Sequence, residues 1–597
     1  MRTRDFIILL VGGILAGASL FGAGVQLDYI NSQREKMKIV VNPALENAPP
    51  SLAFATVAMG AFRGLIVDVL WMRADKLKEE GQFFDARQLA EWITTLQPRF
   101  AAVWEFHAWN MAYNISVAMP ASQPEQRWRW VKNGYELLRD KGIPLNPKSI
   151  QLYRELGRIF QHKLGGVSDD AHLYYKLQFA EEIGPLLDSP DNGLKANDNR
   201  YLEALIAAPE EWAEIRTDPN ITAFVQAMQA ADENFASEAD FVRNYLSLRQ
   251  NPQRFKPAAS EVITAYQGTA ALKKFDLFAK VHQLRHVWKM DPALMVRVGQ
   301  MHGPIDFADP NTHLPMDWRH PDCHAIYWAV KALDVAIQEK DREITSHEAN
   351  TDMIVLHSLQ NLFRYGEILI TERPPDPNTG VSTGKDLFLS PDLRIFDSYN
   401  KAALAVLEKY QDDRGRLQAR QNGHRNMLKN AVLTFYQAGL RREAQRILEE
   451  IRARYPDYPE FQVPLDQYAK KRMVEELESI GIHDATEQVV ALLVNAYRLL
   501  ALGDDDGAAG NDQLAQEIWK MYNAEYGDTE RIVLPPLDTL RYYALSRFLL
   551  SNAYPLYIRE ALWERIQREQ PGLIKRLEQV AEQLQQEQEQ LQKTQTP

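Results

Sequence analysis

Residues 68–114 read DVLWMRADKLKEEGQFFDARQLAEWITTLQPRFAAVWEFHAWNMAYN, and this stretch decides the fold. It predicts two helices, a turn marked by proline and then a third helix. Ala86 and Ala90 lie four residues apart on one helical face, where their small side chains let two helices approach closely. Gly81 permits a left-handed turn between the first two helices, and Pro98 ends the second because it cannot continue a helix. The pattern therefore predicts closely packed pairs of helices.

The order of these residues recurs along the chain. Trp104 opens the next predicted helix 34 residues after Leu70, which holds the corresponding position in the first unit. A second match covers Leu428–Pro456, where the residues at the corresponding offsets are Gly439, Ala444, Leu448 and Pro456. This period and this order of aromatic, glycine, small residue and proline resemble the tetratricopeptide repeat, whose helix–turn–helix units stack into solenoids. The resemblance implies an all-α solenoid of degenerate repeats, with three units in residues 68–188.

Composition bounds the class of protein. At 597 residues the chain is too long for one core, which favours several subdomains or one elongated stack. A formal charge of −12 argues against nucleic acid as a partner, because nucleic-acid binding needs a basic face. Cys323 is the only cysteine, which excludes an intramolecular disulfide.

An uncharged run of 20 residues, Phe6–Val25, follows Arg2 and Arg4. Its length matches the hydrocarbon core of a bilayer, so we predict a transmembrane anchor over residues 1–27. The alternative is a signal peptide that is cut after Ala18, but the apolar run continues past that point, which favours the anchor. Because a short tail before an anchor usually stays inside the cell, we expect the bulk of the chain on the extracytoplasmic, periplasmic side of the membrane.

The rest of the chain divides by composition and periodicity. A polar linker, an N-terminal repeat array and a helical middle region are predicted at 28–50, 51–188 and 189–290. A connection rich in histidine and proline, a C-terminal repeat array and a last region of helices with a Gln-rich amphipathic tail follow at 291–324, 325–535 and 536–597. Within these segments, turn-forming residues predict a long loop at 373–390 and an enlarged turn at 503–511. Residues 368–370 give a weak indication of a strand.

Histidines crowd one part of the chain, because six of the 13 lie between residues 282 and 324. His282 and His286 are four apart, so on a helix they share a face and can chelate zinc, copper or nickel. A second group lies around the start of the next helix: His320, Cys323 and His324. The functional hypothesis is a metal site that draws on both groups. The alternative is that these are ordinary packing and capping side chains, since no known ligand motif matches.

Asp317, Trp318 and Arg319 form the most distinctive string outside the repeats. They precede a helix that starts with proline, where a carboxylate can cap orphan amides or pair with the arginine. We interpret the string as a buried corner between the two halves of the chain, with a ligand-binding corner as the alternative.

In the tetratricopeptide family, the first helix of each unit lines a concave groove that binds partner proteins. By that resemblance His107, Asn110 and Asn114 are candidate groove residues, because they lie on the helix that begins near Trp104. Packing or helix capping explains the two asparagines equally well. The sequence contains no phosphate loop, nucleophile elbow or dinucleotide fingerprint. We therefore expect a non-catalytic protein without a cofactor.

The resemblance also implies a function. It suggests a membrane-anchored scaffold or adaptor that binds protein partners in a solenoid groove and helps to assemble or position a membrane-associated complex. The expected partners are subunits of that complex, and nucleic acid is not expected. The alternative function is an accessory subunit of a metal- or redox-handling membrane complex that uses the histidines of residues 282–324.

Overall fold

The computed structural model describes residues 63–188, 199–307, 309, 311–337, 345–372, 384–479, 485–526, 534–550 and 554–595. Regular structure in these ranges is helical apart from one small sheet, which confirms the prediction of a mostly α-helical protein. The predicted anchor at residues 1–27 and the linker at 28–50 lie outside the described residues. Within the described ranges, no helix has the length and the hydrophobicity that crossing a membrane requires.

The described residues up to 188 form helices α1–α8. Their bounds are α1 Arg63–Glu79, α2 Phe83–Leu96, α3 Ala101–Trp109, α4 Ser116–Ala118, α5 Pro124–Leu137, α6 Ile143–Leu145, α7 Ile150–Arg158 and α8 His172–Ile183. π-helical turns continue three of these helices: Asn110–Ile115 after α3, Leu138–Gly142 after α5 and Ile159–Leu164 after α7. The short helices α4 and α6 are therefore the last turns of the continuous helices that begin with α3 and α5.

The middle region forms helices α9–α15. Their bounds are α9 Asn199–Ala207, α10 Trp212–Ile215, α11 Pro219–Ala231, α12 Glu238–Gln250, α13 Pro257–Tyr266, α14 Ala270–His282 and α15 Pro292–His302. A further π-helical turn, Gln283–Val287, continues α14.

The C-terminal half forms helices α16–α26. Their bounds are α16 Pro321–Ile337, α17 Ser346–Tyr365, α18 Phe396–Lys409, α19 Arg414–Gln437, α20 Arg441–Arg454, α21 Leu465–Ser479, α22 Ala485–Ala501, α23 Asp505–Tyr526, α24 Leu537–Leu550, α25 Leu556–Glu569 and α26 Pro571–Gln595.

The helix pairs that the sequence predicts have the expected turns. Gly81 has a φ of 76° between α1 and α2, and Ala86 and Ala90 are fully buried on α2, which packs against α1. Gly439 has a φ of 77° between α19 and α20, and Ala444 is fully buried on α20. A left-handed backbone is cheap for glycine and strained for other residues, so these two positions fix where each helix pair turns.

Many helices pack on their neighbours in sequence. Such contacts join α1 with α2, α16 with α17, α17 with α18, α18 with α19, α19 with α20 and α22 with α23. Other contacts depart from this order: α7 and its π-helical turn pack on α16, and α22 packs on α24. In the middle region, α9 packs on α14 and α15, while α11 and α12 pack on α14. The chain therefore leaves the N-terminal helices after α8 and meets them again at α16.

One two-stranded sheet interrupts the helices of the described chain. Strands β1 Glu367–Glu372 and β2 Lys385–Ser390 pair antiparallel, with Glu367 opposite Ser390. The strand indicated at residues 368–370 is thus confirmed, whereas a loop over the whole of 373–390 is wrong at its C-terminal end. Leu387 is buried in β2, and β2 packs on α8. The strand forms because β1 supplies backbone partners and α8 packs against it, and neither partner is visible in the local sequence.

The enlarged turn predicted at 503–511 is also wrong. Gly503, with a φ of 83°, makes the turn, and α23 begins at Asp505. Asp504 caps this helix, since its Oδ1 accepts a hydrogen bond from the Gly507 N–H at 2.8 Å. Gly507 and Gly510 lie inside α23 at positions where other atoms come too close for a larger side chain. A Cβ added at Gly510 would lie 1.6 Å from a backbone carbonyl oxygen of α19.

Candidate functional site

Three successive helices, α17, α18 and α19, line a groove of about 770 Å³, the α17–α19 groove. Helix α17 contributes residues that recur every three or four positions and so share one face: Asn350, Met353, Leu356, Gln360 and Arg364. Helix α19 contributes a similarly spaced set: Arg420, Gly423, Asn426, Met427 and Asn430. Helix α18 adds mostly apolar surface: Tyr399, Ala403 and Val406. The groove thus has a mixed lining of apolar, amide and basic side chains.

The groove is long enough for a peptide. At about 1.5 Å per helical residue, the stripe from Asn350 to Arg364 spans about 21 Å. An extended chain advances about 3.3–3.6 Å per residue, so about six residues fit along this stripe. This length suits a linear segment of a partner protein.

The charge of the lining is unusual for this chain. The protein carries a net charge of −12, yet the described residues that line the groove include no Asp or Glu. Arg364 is exposed and forms no ion pair within the described ranges. Arg420 lies 4.2 Å from the centre of the Tyr410 ring and forms a long ion pair with the Asp413 carboxylate at 4.0 Å, and its buried Nη1 has no hydrogen-bond acceptor among the described residues. The groove therefore presents positive charge with unused hydrogen-bonding capacity.

Four amide side chains add to that capacity: Asn350, Gln360, Asn426 and Asn430. None of them makes a side-chain hydrogen bond to another described residue. A carboxamide both donates and accepts, as a peptide backbone does, so it can pair with an extended chain whatever the sequence of that chain.

A buried network holds the helices of the groove in place. The two ring nitrogens of His424 hydrogen-bond the Tyr455 hydroxyl at 2.8 Å and Oδ1 of Asn400 at 2.9 Å. Asn400 in turn donates to the carboxylate of Glu450 at 3.0 Å. Burial lowers the pKa of His424 to about 4, so the ring is neutral at physiological pH. The network links α18, α19 and α20, and thereby fixes one wall of the groove.

The three groove residues predicted from the sequence lie among the N-terminal helices instead. His107 and Asn110 are only 4% and 0% exposed. Asn110 donates a hydrogen bond to the Phe83 carbonyl at 3.0 Å, and Asn114 donates to Oδ1 of Asn110 at 2.9 Å. These bonds tie the π-helical turn after α3 to the start of α2. The buried His107 and Asn110 side chains therefore serve the packing of helices.

The Asp317–Arg319 string forms a tight corner before α16. Arg319 makes two parallel hydrogen bonds to Asp317, from Nε to Oδ1 at 2.9 Å and from Nη2 to Oδ2 at 2.6 Å, and Trp318 is buried. Asp392 and Arg394 repeat this arrangement ahead of α18, at 2.8 Å and 3.0 Å. Both pairs line a cavity of about 350 Å³. Each guanidinium is already held by the carboxylate two residues before it, so the charges of the corner are satisfied internally.

The histidine group at the start of α16 is fully enclosed. Nδ1 of His320 accepts a hydrogen bond from the Asp322 N–H at 3.2 Å, and Nε2 of His324 lies 2.9 Å from the Trp318 carbonyl oxygen, to which it donates. Burial lowers the pKa of both rings to about 3 and raises the pKa of the Cys323 thiol. These three side chains are therefore neutral packing groups at physiological pH.

The structure does not unite the two histidine groups in one potential metal site. His282 and His286 lie side by side at the end of α14, with ring centroids 4.3 Å apart. Among the described residues, the group of three or more potential ligand side chains that includes one of the predicted histidines is Glu210, Glu211 and His286.

Buried charges join α5 and the π-helical turn after α7 to the loop that precedes α8. Lys163 donates to Oδ2 of Asp169 at 2.5 Å, and Arg127 lies 3.5 Å from its Oδ1, with all three side chains less than one-tenth exposed. Burial alone would raise the pKa of Asp169, but hydrogen bonds from Lys163 and the Ala171 N–H, together with the two cations, lower it overall. The carboxylate is therefore ionised and compensates two cations inside the fold.

A second buried pair lies where α8 meets α16. Lys176 donates to the Gly166 carbonyl at 2.7 Å, and Asp322 accepts from Asn361 at 3.1 Å. Burial lowers the pKa of Lys176 and raises the pKa of Asp322, which favours the neutral form of each group. A Cβ at Gly165 would lie 2.1 Å from Oδ2 of Asp322, so this carboxyl group depends on a glycine beside it.

Four buried histidines, together with His302 at the end of α15, make the stability of the fold depend on pH. Burial lowers the pKa of His107, His320 and His324 to about 3, and that of His302 and His424 to about 4. In the unfolded chain each ring titrates near pH 6.5, so unfolding takes up protons below that pH. The stability from the neutral rings is complete above about pH 6.5 and is lost as the pH falls toward about 4. We expect the free energy of unfolding to fall by up to about 1.4 kcal/mol per pH unit for each histidine.

Thermal unfolding at a series of pH values between 7 and 5 measures this dependence. His324→Gln should make the loss on acidification shallower by about one proton. Asp322→Asn should make the loss of stability on acidification steeper. The raised pKa of Asp322 contributes stability that is complete below about pH 4 and declines as the pH rises, so in the unmodified chain it opposes the loss caused by the histidines. The slope is the readout, since either substitution also lowers stability at neutral pH. Identical slopes in the two variants and the unmodified chain would contradict the assignment.

The groove residues Arg364 and Arg420 are not among the sites predicted from the sequence. The available signal is the run RQNGHRNMLKN at 420–430, where basic and amide side chains recur at helical spacing just before the second repeat match. That run shows a polar face of α19, and the packing of α17 and α18 beside it is what makes the face a groove. No protein-family model matches this chain, and no curated protein matches it either.

Proposed function

We propose that this protein is a non-catalytic helical scaffold that binds an extended, carboxylate-bearing segment of a partner protein in the α17–α19 groove. The observation that carries the proposal is the lining itself. Its described residues combine two arginines with four amides that make no side-chain hydrogen bond to another described residue, and they include no acidic side chain, in a chain of net charge −12. A groove of this composition attracts an acidic ligand.

Each class of lining residue has a separate task in this proposal. Arg364 and Arg420 hydrogen-bond a carboxylate of the partner, from an acidic side chain or a C-terminus. The four amides pair with the partner's backbone, as described above. Met353, Leu356 and Met427 accept its apolar side chains, and methionine adapts readily to different shapes. The mechanism is surface complementarity, with charge setting the choice of segment.

We extend the proposal to the architecture and the location. The sequential packing of α16–α20 supports a solenoid of repeat-like helix pairs, in which the groove faces a partner. The apolar run Phe6–Val25 supports tethering to a membrane, and a tether raises the local concentration of membrane-bound partners. On this basis the partners are subunits of a membrane-associated complex that this protein helps to assemble on the extracytoplasmic side.

A charge reversal tests the role of the arginines. We expect Arg364→Glu to weaken binding of the partner segment by about 10- to 100-fold, because a charge-assisted hydrogen bond of about 1.5–3 kcal/mol is replaced by repulsion. Arg442→Glu is the matched control: it makes the same change of charge at an exposed residue of α20 that does not line the groove. Fluorescence titration of the partner peptide with the full chain in detergent measures the affinity of each variant. Equal affinities in the two variants would contradict the proposal.

A blocking variant and a cross-link identify the partner and locate it. Gly423 lies in α19 at the groove, and a Cβ there meets no atom within 4 Å. A photo-reactive amino acid at position 423 should therefore capture the partner in its native membrane, whereas one at Gln445 of α20 should not. Gly423→Leu should prevent capture of the partner by a photo-reactive amino acid placed at position 427 instead. It should leave the melting temperature unchanged or raised, since leucine favours the helix more than glycine does. Equal capture from positions 423 and 445 would place the partner elsewhere.

A further inference from the structure

A set of metal-ligating side chains lies far along the chain from the α17–α19 groove. Glu210 and Glu211, in the turn between α9 and α10, meet His286 of the π-helical turn after α14, and their ligand atoms lie within 4.8 Å of one another. Nε2 of His286 is 3.8 Å from Oε1 of Glu211. In a tetrahedral site with bonds of about 2.0–2.1 Å the ligand atoms are about 3.3 Å apart, so a small side-chain rotation closes the set on an ion.

The local backbone supplies a fourth candidate ligand. His282 ends α14 and His286 lies in the π-helical turn Gln283–Val287, and their rings lie side by side with centroids 4.3 Å apart. Nδ1 of His282 is buried and has no hydrogen-bond partner among the described residues. Single π-helical turns often accompany functional sites.

Neighbouring charges orient the carboxylates. Arg285 forms an ion pair with Glu210 and also reaches Asp291 at 3.3 Å. Arg285 thus faces one glutamate and one aspartate, and Glu211 adds a third carboxylate, which leaves the site with net negative charge. Because Arg285 is shared between Glu210 and Asp291, it orients the Glu210 carboxylate and leaves one of its oxygens available to bind a metal ion.

From this arrangement we propose a surface site for zinc or a similar divalent transition metal, with His286, Glu211 and Glu210 as ligands and His282 as the fourth. The imidazoles select against calcium and magnesium, which prefer oxygen ligands alone. Three protein ligands with an optional fourth also match the coordination that zinc adopts in proteins. This site does not depend on the proposed peptide groove, because the two share no residues.

Isothermal titration of the full chain in detergent with zinc chloride tests the proposal, after removal of any histidine tag. We expect one zinc ion per chain. His286→Gln and Glu211→Gln should each weaken binding by about tenfold or more, and Arg285→Met should weaken it by about 10- to 100-fold if the arginine positions Glu210. Both ligand side chains are more than two-fifths exposed, so their replacement should leave the melting temperature of the metal-free chain unchanged.

His162→Gln is the control, because His162 is an exposed histidine outside this set. It should bind zinc as the unmodified chain does. Cobalt in place of zinc gives a second readout, since its visible absorption reports the coordination of the ion and should disappear in His286→Gln. Absence of stoichiometric zinc binding, or equal binding by His286→Gln and His162→Gln, would overturn the proposal.

Discussion

Gly510→Ala should destabilise the C-terminal helices by about 3 kcal/mol or more. A Cβ at this position would lie 1.6 Å from the carbonyl oxygen of Gln437, 2.6 Å from its carbonyl carbon and 3.0 Å from the Gly439 nitrogen. All three are backbone atoms at the end of α19, so no change of rotamer relieves the overlap. Helix α23 must move away from α19, and the apolar side chains between them lose contact. Hydrogen exchange measured by mass spectrometry should show faster exchange at the end of α19, along with a lower midpoint of chemical denaturation.

Gly299→Ala is the matched control for this effect. Gly299 also lies inside a helix, α15, but a Cβ there meets no atom within 4 Å. Alanine loses less backbone entropy than glycine in a helix, so this variant should gain about 0.5–1 kcal/mol. If Gly510→Ala were as stable as Gly299→Ala, the two helices would not cross at the distance described.

The glycines of the helix pairs illustrate which parts of the fold a sequence can predict. Gly81 and Gly439 act within one helix pair, where the left-handed turn, the small residues and the proline all lie within about 20 residues of one another. Gly507 and Gly510 occur in a run that has the same composition as a turn, and that similarity produces the wrong prediction at 503–511. What distinguishes Gly510 is a neighbour, the end of α19, that is distant in sequence. Local rules therefore locate helix pairs but not the close approaches between pairs.

The candidate site was hidden from the sequence for a related reason. Helical periodicity predicts which residues share a face, but not which face another helix covers. His107 and Asn110 are polar residues close to the first repeat match, but both are buried because α2 and α5 pack against this part of the chain. Arg364 and Arg420 come from helices that are separated by the β-hairpin and α18, and their proximity arises only when α18 packs between them in sequence order. Long-range packing decides which polar faces remain available to a partner.

The same long-range packing creates a buried cluster of charges among the N-terminal helices. Asp169→Asn should cost about 3–5 kcal/mol of unfolding free energy, because it leaves the buried Lys163 and Arg127 without their carboxylate. Glu182→Gln is the control: it removes the partner of Lys132, a pair that also connects α5 with α8 but is about one-third exposed. That change should cost no more than about 1 kcal/mol. Chemical denaturation of the two variants at neutral pH measures the difference.

The pH dependence of Asp169→Asn separates an uncompensated charge from simple loss of packing. Burial already lowers the pKa of Lys163, and loss of the carboxylate lowers it further, below the value near 10.4 in the unfolded chain. The unfolded chain then binds more protons across that interval, so the stability of the variant rises with pH there. Its deficit should be largest near neutral pH and smaller at about pH 9.5, and Lys163→Met added to Asp169→Asn should restore part of the loss at pH 7. A deficit that is equal at both pH values would mean that the cost comes from shape, because only a charge can be relieved by releasing a proton.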